Sequence, residues 1–483
     1  MLFQSAGFLI FFTCFFFIYW LLADKVTVRN LLVLCASICL YSLWDYRFTS
    51  LLVFIILLNY FSELFIDKDT VKGRTVFYSA VVLNAIPLIF FKYYNFFIGS
   101  VNDTFSVMGI DLDLQTLKLV LPVGISFYTF LSLSYLIDVY KKQILPEKNI
   151  VDYALAISYF PITMAGPIHR PKIFLDQLKK EIKFDYNLAA EGLRQILTGL
   201  LMKVVIADSI AKHVNTVFNG YEKLNGITLI LGLVYFSFQL YFDFGGYSEM
   251  AIGISKLLGY RISRNFRFPY LARTIPDFWK RWHISLTEWF RDYIFLPLSY
   301  ILSRKMKQDS LFGSDIVIYS IGALVTWTLT GLWHGAGWNF VLWGMVHAIF
   351  LIISKAFIKP KKKLLKRFGL KKDSAAVIIY EYLLTFSIVN FAWIFFRNPT
   401  ASKSFGMLSR IADVYAWSRP EITLLPLMMI VIMISLEFIQ REKEFLIDIP
   451  HLNIFLRWIV YIGVTLTVIY YSGNETTFIY AGF

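Results

Sequence analysis

The sequence predicts an all-α, polytopic membrane protein, on three observations. The chain is 57% hydrophobic and 18% aromatic over 483 residues, with a mean hydropathy of +0.60, more apolar surface than a soluble fold of that length buries. Its apolar residues gather in runs of about 20, the length a helix needs to cross a bilayer. The formal charge of +14 is dealt into short connections between those runs, which is the positive-inside pattern of membrane helices and not a basic surface for nucleic acid. Membrane lipid is therefore an expected partner and nucleic acid is not.

Apolar runs occupy 5–22, 31–44, 48–66, 76–98, 117–139, 151–165, 193–218, 226–248, 312–331, 338–358, 376–396, 422–440 and 452–471. Several are short for a span, so about ten to twelve true spans with some re-entrant pieces are expected. The first strongly apolar stretch, Phe8 to Leu22, follows Met1-Leu2-Phe3-Gln4 without a basic region and without an A-x-A-like site after it, as in a retained span. Cys14, Cys35 and Cys39 sit inside apolar runs, offer no disulfide framework and are expected to pack as small buried hydrophobes. The polar connections reach only about 25 residues and lack a core of their own. Residues 1–483 thus read as a single integral membrane domain, and no repeat of fixed period supports an inverted-repeat transporter.

Charge sets the orientation. The run from Lys359 to Lys372 is the densest basic connection and belongs on the cytoplasmic side, as do Arg304, Lys305 and Lys307. The chain then leaves through 312–331 and returns through 338–358. Lys256, Arg261, Arg264, Arg267 and Arg273 fall on the cytoplasmic side with His169 to Lys183, whereas the acidic stretch Asn102 to Asp113 and the tail carrying Glu475 face outward.

The turn of that hairpin is Thr330-Gly331-Leu332-Trp333-His334-Gly335-Ala336-Gly337-Trp338. An ionisable ring between two membrane runs is costly to bury, so His334 is either a paired structural residue of a tight hairpin or a working one. A second stretch runs from Thr274 to Tyr293. Thr274 and Asp277 resemble a capping box with Pro276 in the first turn, which predicts a helix. At helical spacing Trp279, His283, Leu286, Phe290 and Ile294 form one stripe, with Trp282 beside it, and Glu288 is placed to pair with Arg291. The plain reading is an interfacial amphipathic helix; the sharper one turns His283 inward toward His334.

A third stretch, Gln239 to Gly253, carries Asp243 and Glu249 and a glycine pair, Gly245-Gly246, that is expected to break its span. Its acids fit a transporter's proton or coupling-ion site, a partner that orients a histidine or a basic side chain, or simple capping and turn roles. A fourth, Pro161 to Arg170, reads as a structural break, with Arg170 and Lys172 available to phosphate. His347, inside an apolar run, is expected to be a satisfied interhelical hydrogen-bonding residue. No histidine, cysteine and carboxylate spacing suggests a metal.

The stretches Asp277-Phe278-Trp279-Lys280-Arg281-Trp282-His283-Ile284-Ser285-Leu286 and Gly331-Leu332-Trp333-His334-Gly335-Ala336-Gly337-Trp338 resemble the two histidine motifs of the membrane-bound O-acyltransferase family. Within it, Tyr241 to Ser248, Ala165-Gly166-Pro167-Ile168 and the Phe478-Ile479-Tyr480 ending look most like its alginate O-acetylation branch. The resemblance implies about eleven transmembrane helices, with re-entrant and interfacial helices around a central tunnel. It implies His334 as the main catalytic residue and His283 as the second active-site histidine. Trp333, Trp338, Trp279, Trp282, Asp243, Gly335 and Gly337 are the expected supporting or tunnel-lining residues.

The expected function is transfer of an acetyl group from a cytoplasmic thioester, acetyl-CoA, across the membrane to a hydroxyl of an extracytoplasmic polysaccharide. Transfer is direct or through an extracytoplasmic partner protein, in the bacterial cytoplasmic (inner) membrane, with no permanently bound cofactor. In this reading His334 acts as general base, His283 orients the thioester or donates to the oxyanion, the tryptophans exclude water, and the small residues let backbone approach the tunnel. Acyl transfer such as D-alanylation from a carrier protein is the alternative within the family, and a secondary transporter is the alternative outside it.

Overall fold

The computed structural model describes residues 3–306 and 314–473. Lys307, Glu475 and the Phe478-Ile479-Tyr480-Ala481-Gly482 ending lie outside the described residues. Among the described residues every regular element is helical. Among the described residues six helices are long and apolar enough to cross a membrane: Val71–Val107, Gly226–Leu257, Asp315–His334, Trp338–Ala356, Ala375–Arg397 and Ile454–Tyr471. Ala6–Leu22, Val26–Ser42, Ile125–Tyr140 and Leu425–Ile439 are shorter apolar helices. The protein is a polytopic, all-helical membrane protein.

Two compact units are present, Met1–Ile196 with Met250–Ser263, and Leu197–Glu249 with Arg264–Phe483. The first begins with α1 (Ala6–Leu22), α2 (Val26–Ser42) and α3 (Tyr46–Glu63). Ser5 and Asp45 cap α1 and α3 by accepting from the amides of Phe8 and Arg47 at 3.2 and 3.0 Å. In α4 (Val71–Leu88) Pro87 removes a backbone donor, and a π-turn at Ile89–Tyr93 carries the chain into α5 (Tyr94–Val107). After α6 (Ile125–Tyr140) the chain is broken into α7 (Ile150–Ser158), α8 (Phe160–Thr163) and α9 (Pro171–Leu178), and Gly166 supplies the positive φ of 127° at the break.

Polar groups in apolar surroundings need partners, and two sets in the first unit have them. Asn59 and Asn84 exchange amide hydrogen bonds of 2.9 and 2.8 Å between α3 and α4. Fully buried Arg29 donates to the carbonyls of Leu178 and Lys180 at 2.6 and 2.9 Å. The three cysteines differ from expectation: each is free and exposed, on the outer side of its helix and not in the packed interior.

The chain continues through α10 (Tyr186–Leu200), a π-segment at Leu201–Ala207, α11 (Asp208–Asn219) and α12 (Gly226–Leu257). Here the expected break is absent, because α12 runs unbroken through Gly245-Gly246. A Cβ on Gly246 would lie 2.7 Å from the Gly199 carbonyl oxygen and 3.0 Å from the Lys203 amide. The glycine serves close helix packing, for which small residues are as necessary as they are for breaks.

The second unit also holds α13 (Ile275–Trp279), α14 (Ile284–Phe290), a π-segment at Arg291–Phe295, α15 (Leu296–Lys305), and the hairpin of α16 (Asp315–His334) and α17 (Trp338–Ala356). Then follow α18 (Ile358–Arg367), α19 (Ala375–Arg397), α20 (Ala401–Ala412), α21 (Leu425–Ile439) and α22 (Ile454–Tyr471). Gly331 and Gly344 set the hairpin spacing: a Cβ on Gly331 would overlap the Phe340 carbonyl, and one on Gly344 the Trp327 carbonyl.

The helix predicted from Thr274 starts as expected, with Thr274 Oγ1 accepting from the Asp277 amide at 3.2 Å. It ends at Trp279 and resumes at Ile284, so the continuous aromatic stripe does not form. The interruption is His283, at φ 42° and ψ 54°. Two backbone hydrogen bonds fix that turn, Arg267 N to Arg281 O and Ile284 N to Asn265 O, both 2.9 Å. Arg291 pairs with Asp292 at 2.8 Å in place of the expected Glu288.

Candidate active site

His334 is the last residue of α16 and is 3% exposed. Its ring meets Trp333 at 4.8 Å, Trp343 at 4.9 Å and Phe396 at 5.1 Å between centroids, each close to perpendicular. Gly335 and Gly337 are extended, at φ −165° and −166°, so neither is needed for its dihedrals. They make room: a Cβ on Gly335 would overlap the Phe340 ring, and one on Gly337 the Asn339 amide. That amide donates to the carbonyls of Phe395 and Asn398 at 3.2 and 2.9 Å, tying the start of α17 to the end of α19, where Phe396 stands.

His283 is 1% exposed and packs edge-on to Phe244 at 4.8 Å. Its left-handed backbone is costly for a residue with a Cβ, by about 1 kcal/mol or more, and strain of this kind clusters at functional sites. The Trp333 ring lies 5.9 Å from His283 and 4.8 Å from His334, so one indole stands against both imidazoles.

Asn265, fully buried, orders the second histidine. Its Nδ2 donates to Ser248 Oγ at 3.2 Å, which makes Oδ1 the acceptor for Ser285 Oγ at 2.9 Å and for His283 Nδ1 at 3.0 Å. Burial pushes the His283 pKa down to about 3, so the ring is neutral with its single proton on Nδ1. Nε2 is then the acceptor nitrogen. This differs from the expected donation to an oxyanion, which needs the proton on the other nitrogen.

Asp243 orients a basic side chain and not a histidine, the second of the two neighbours expected for it. Lys203 Nζ, on the π-segment, bonds Asp243 Oδ1 at 2.6 Å and Asp208 Oδ1 at 2.7 Å, with all three side chains at most 3% exposed. The pair of carboxylates fixes α12 to the Leu201–Ala207 segment, and the residue after Asp243, Phe244, carries the packing to His283. Trp279 and Trp282 are buried, Trp282 stacking on Phe278 at 5.5 Å and meeting Trp393 at 5.1 Å. Trp338, the first residue of α17, is 59% exposed on the protein surface.

Sequence reasoning did not reach Asn265, Lys203, Trp343 or Phe396. Asn265 lies in a basic connection, and nothing in its neighbours' pattern separates it from a solvated turn residue.

A profile of the membrane-bound O-acyltransferase (MBOAT) family matches residues 38–397, a stretch that holds both histidines. The chain belongs to that family. As an MBOAT protein it is an acyltransferase. It is 33% identical over 426 residues to a probable alginate O-acetylase AlgI of Pseudomonas aeruginosa, covering 87% of this chain and 77% of the relative. It is 33% identical over 421 residues to a peptidoglycan O-acetyltransferase of Helicobacter pylori, covering 81% and 75%. A teichoic acid D-alanyltransferase of Streptococcus thermophilus is 28% identical over 340 residues, covering 68% and 76%. The matched stretch of this MBOAT chain includes both buried imidazoles, which stand on either side of Trp333.

Proposed function

We propose that the protein is a bacterial inner-membrane O-acetyltransferase. It moves an acetyl group from cytoplasmic acetyl-CoA to a hydroxyl of an extracytoplasmic polysaccharide, directly or through an extracytoplasmic partner protein. In this reading residues 1–483 act as one acyltransferase domain, with about eleven spans and re-entrant helices enclosing a tunnel between the two faces. The observation that carries the reading is His334, a buried imidazole at a helix end walled by Trp333, Trp343 and Phe396. The O-acetyl assignment is supported by relatives named for O-acetylation at 33% identity against 28% for D-alanylation.

The reaction needs one proton moved twice. His334 takes the proton of the acceptor hydroxyl as its oxygen attacks the thioester carbonyl, the C–O bond forms, the C–S bond breaks, and the proton passes to the departing thiolate. His283, held neutral with Nδ1–H on Asn265, presents Nε2 as an acceptor that orients a hydroxyl or thiol proton. The surrounding indoles exclude water and so favour transfer over donor hydrolysis.

Labelled acetyl-CoA in proteoliposomes tests this. His334→Ala is expected to lower acetyl transfer by about 10²-fold or more; wild-type transfer by that variant overturns the assignment. The D-alanyl reading has the same family support at lower identity, and binding of a carrier protein in place of free CoA thioester at the cytoplasmic face would favour it.

A further inference from the structure

His347 lies on α17 and is fully buried. Four tryptophans surround its ring: Trp279 at 4.8 Å, Trp343 at 4.9 Å, Trp327 at 5.5 Å and Trp393 at 6.3 Å. They come from α13, α17, α16 and α19, so the cage is a tertiary construction. The satisfied hydrogen-bonding histidine expected here is not found. Among the described residues neither ring nitrogen of His347 has a hydrogen-bond partner, and the indole nitrogens of Trp279, Trp343 and Trp393 are in the same condition. Each such buried group costs about 1–3 kcal/mol, and a phenyl ring would fill the same space without that cost.

What an imidazole offers and a phenyl lacks is a polar edge. An N–H set against an indole face is an attractive contact, and near-perpendicular rings are the arrangement in which it forms. Trp343 meets His347 at 4.9 Å and 74°, and it meets His334 at 4.9 Å and 84°. One indole is thus the shared wall of two imidazoles. Trp343 also stacks on Trp393 at 5.9 Å and 17°, and Trp393 meets Phe396, the third wall of His334, at 5.2 Å.

We propose that His347 is a positioning residue for acyl transfer: its polar edge fixes the plane of Trp343, and Trp343 fixes the ring of His334. The inference rests on the reading of His334 as the base. A displaced base near 1 Å from its working position costs up to about 10²-fold in turnover while leaving donor binding intact.

The test uses the full-length protein in proteoliposomes with labelled acetyl-CoA and a polysaccharide acceptor, reading kcat, KM for the donor, and the ratio of transfer to donor hydrolysis. His347→Phe is expected to keep or raise the thermal midpoint, lower kcat about tenfold, leave KM within about threefold and raise the hydrolysed share. His347→Asn, which restores an N–H donor, is expected to recover most of the lost kcat. Should the Phe variant not fold, a cycle of His347→Leu and Trp343→Phe decides, with non-additive losses in kcat expected. Wild-type kcat and wild-type partition in His347→Phe, or additive losses in the cycle, overturn the proposal. An inactive His334→Ala alongside either result leaves the base assignment standing, whereas an active one removes that assignment itself.

Discussion

Replacing Asn265 by alanine isolates the contribution of a single ordering residue. The side chain holds three hydrogen bonds inside a fully buried site: from His283 Nδ1 at 3.0 Å, from Ser285 Oγ at 2.9 Å, and to Ser248 Oγ at 3.2 Å. The backbone carbonyl of residue 265 still accepts from Ile284 N, so the turn keeps its frame. Truncation leaves the His283 and Ser285 donors without that oxygen, at about 1–3 kcal/mol each, and a total loss of roughly 3–5 kcal/mol in stability follows. The chemical effect is separate. Truncation removes the Oδ1 that orients His283 Nδ1, and loss of such an orienting partner typically costs about 10–100-fold. Thermal unfolding in detergent and single-turnover acetyl transfer report the two losses. Asn265→Ala with wild-type turnover, after correction for folded fraction, would refute the argument that this hydrogen bond sets the working tautomer of His283.

Other perturbations test the surrounding frame. In Gly344→Ala the new methyl would overlap the Trp327 carbonyl and come 2.9 Å from its carbon, both immovable backbone atoms; a loss of about 1–3 kcal/mol and reduced transfer are expected, checked by melting and assay. Lys203→Met removes the ammonium shared by Asp208 and Asp243 and is expected to cost about 3–5 kcal/mol, with recovery in Lys203→Met/Asp208→Asn/Asp243→Asn, in which no carboxylate is left behind. His283 and His169 are both held near pKa 3 by burial, below the unfolded value of 6.5. The unfolded state therefore binds protons that the folded state refuses, and stability falls as pH drops from about 6.5 toward 3, by about 2 kcal/mol per histidine at pH 5. Melting at pH 7.5 and 5 measures it, and a flatter response is expected in His169→Asn.

What the sequence made legible was local. The helix start at Thr274 follows from a side chain that reaches an amide three residues away, and the apolar runs follow from length and burial. The two tryptophan-rich histidine motifs were readable because their unusual composition is contiguous. The same local reasoning extended a helix through His283 and broke one at Gly245-Gly246, and both errors have one cause. Partners distant in sequence decided the backbone: the Asn265 and Arg267 segment holds His283 in a left-handed turn, and close packing against Gly199 needs Gly246 inside an intact helix.

By itself, then, the sequence determined that this is a helical membrane protein and that His283 and His334 are its unusual residues, because hydropathy and composition are properties of neighbours along the chain. Only the tertiary structure decided what those rings touch. The proton on His283 is placed by an amide 18 residues away, His334 is walled by residues from α17 and α19, and Lys203 joins two acids from separate helices. A hydrogen bond or a ring contact is fixed by distances of a few ångströms in space, and only the folded backbone sets those distances for residues far apart in the chain.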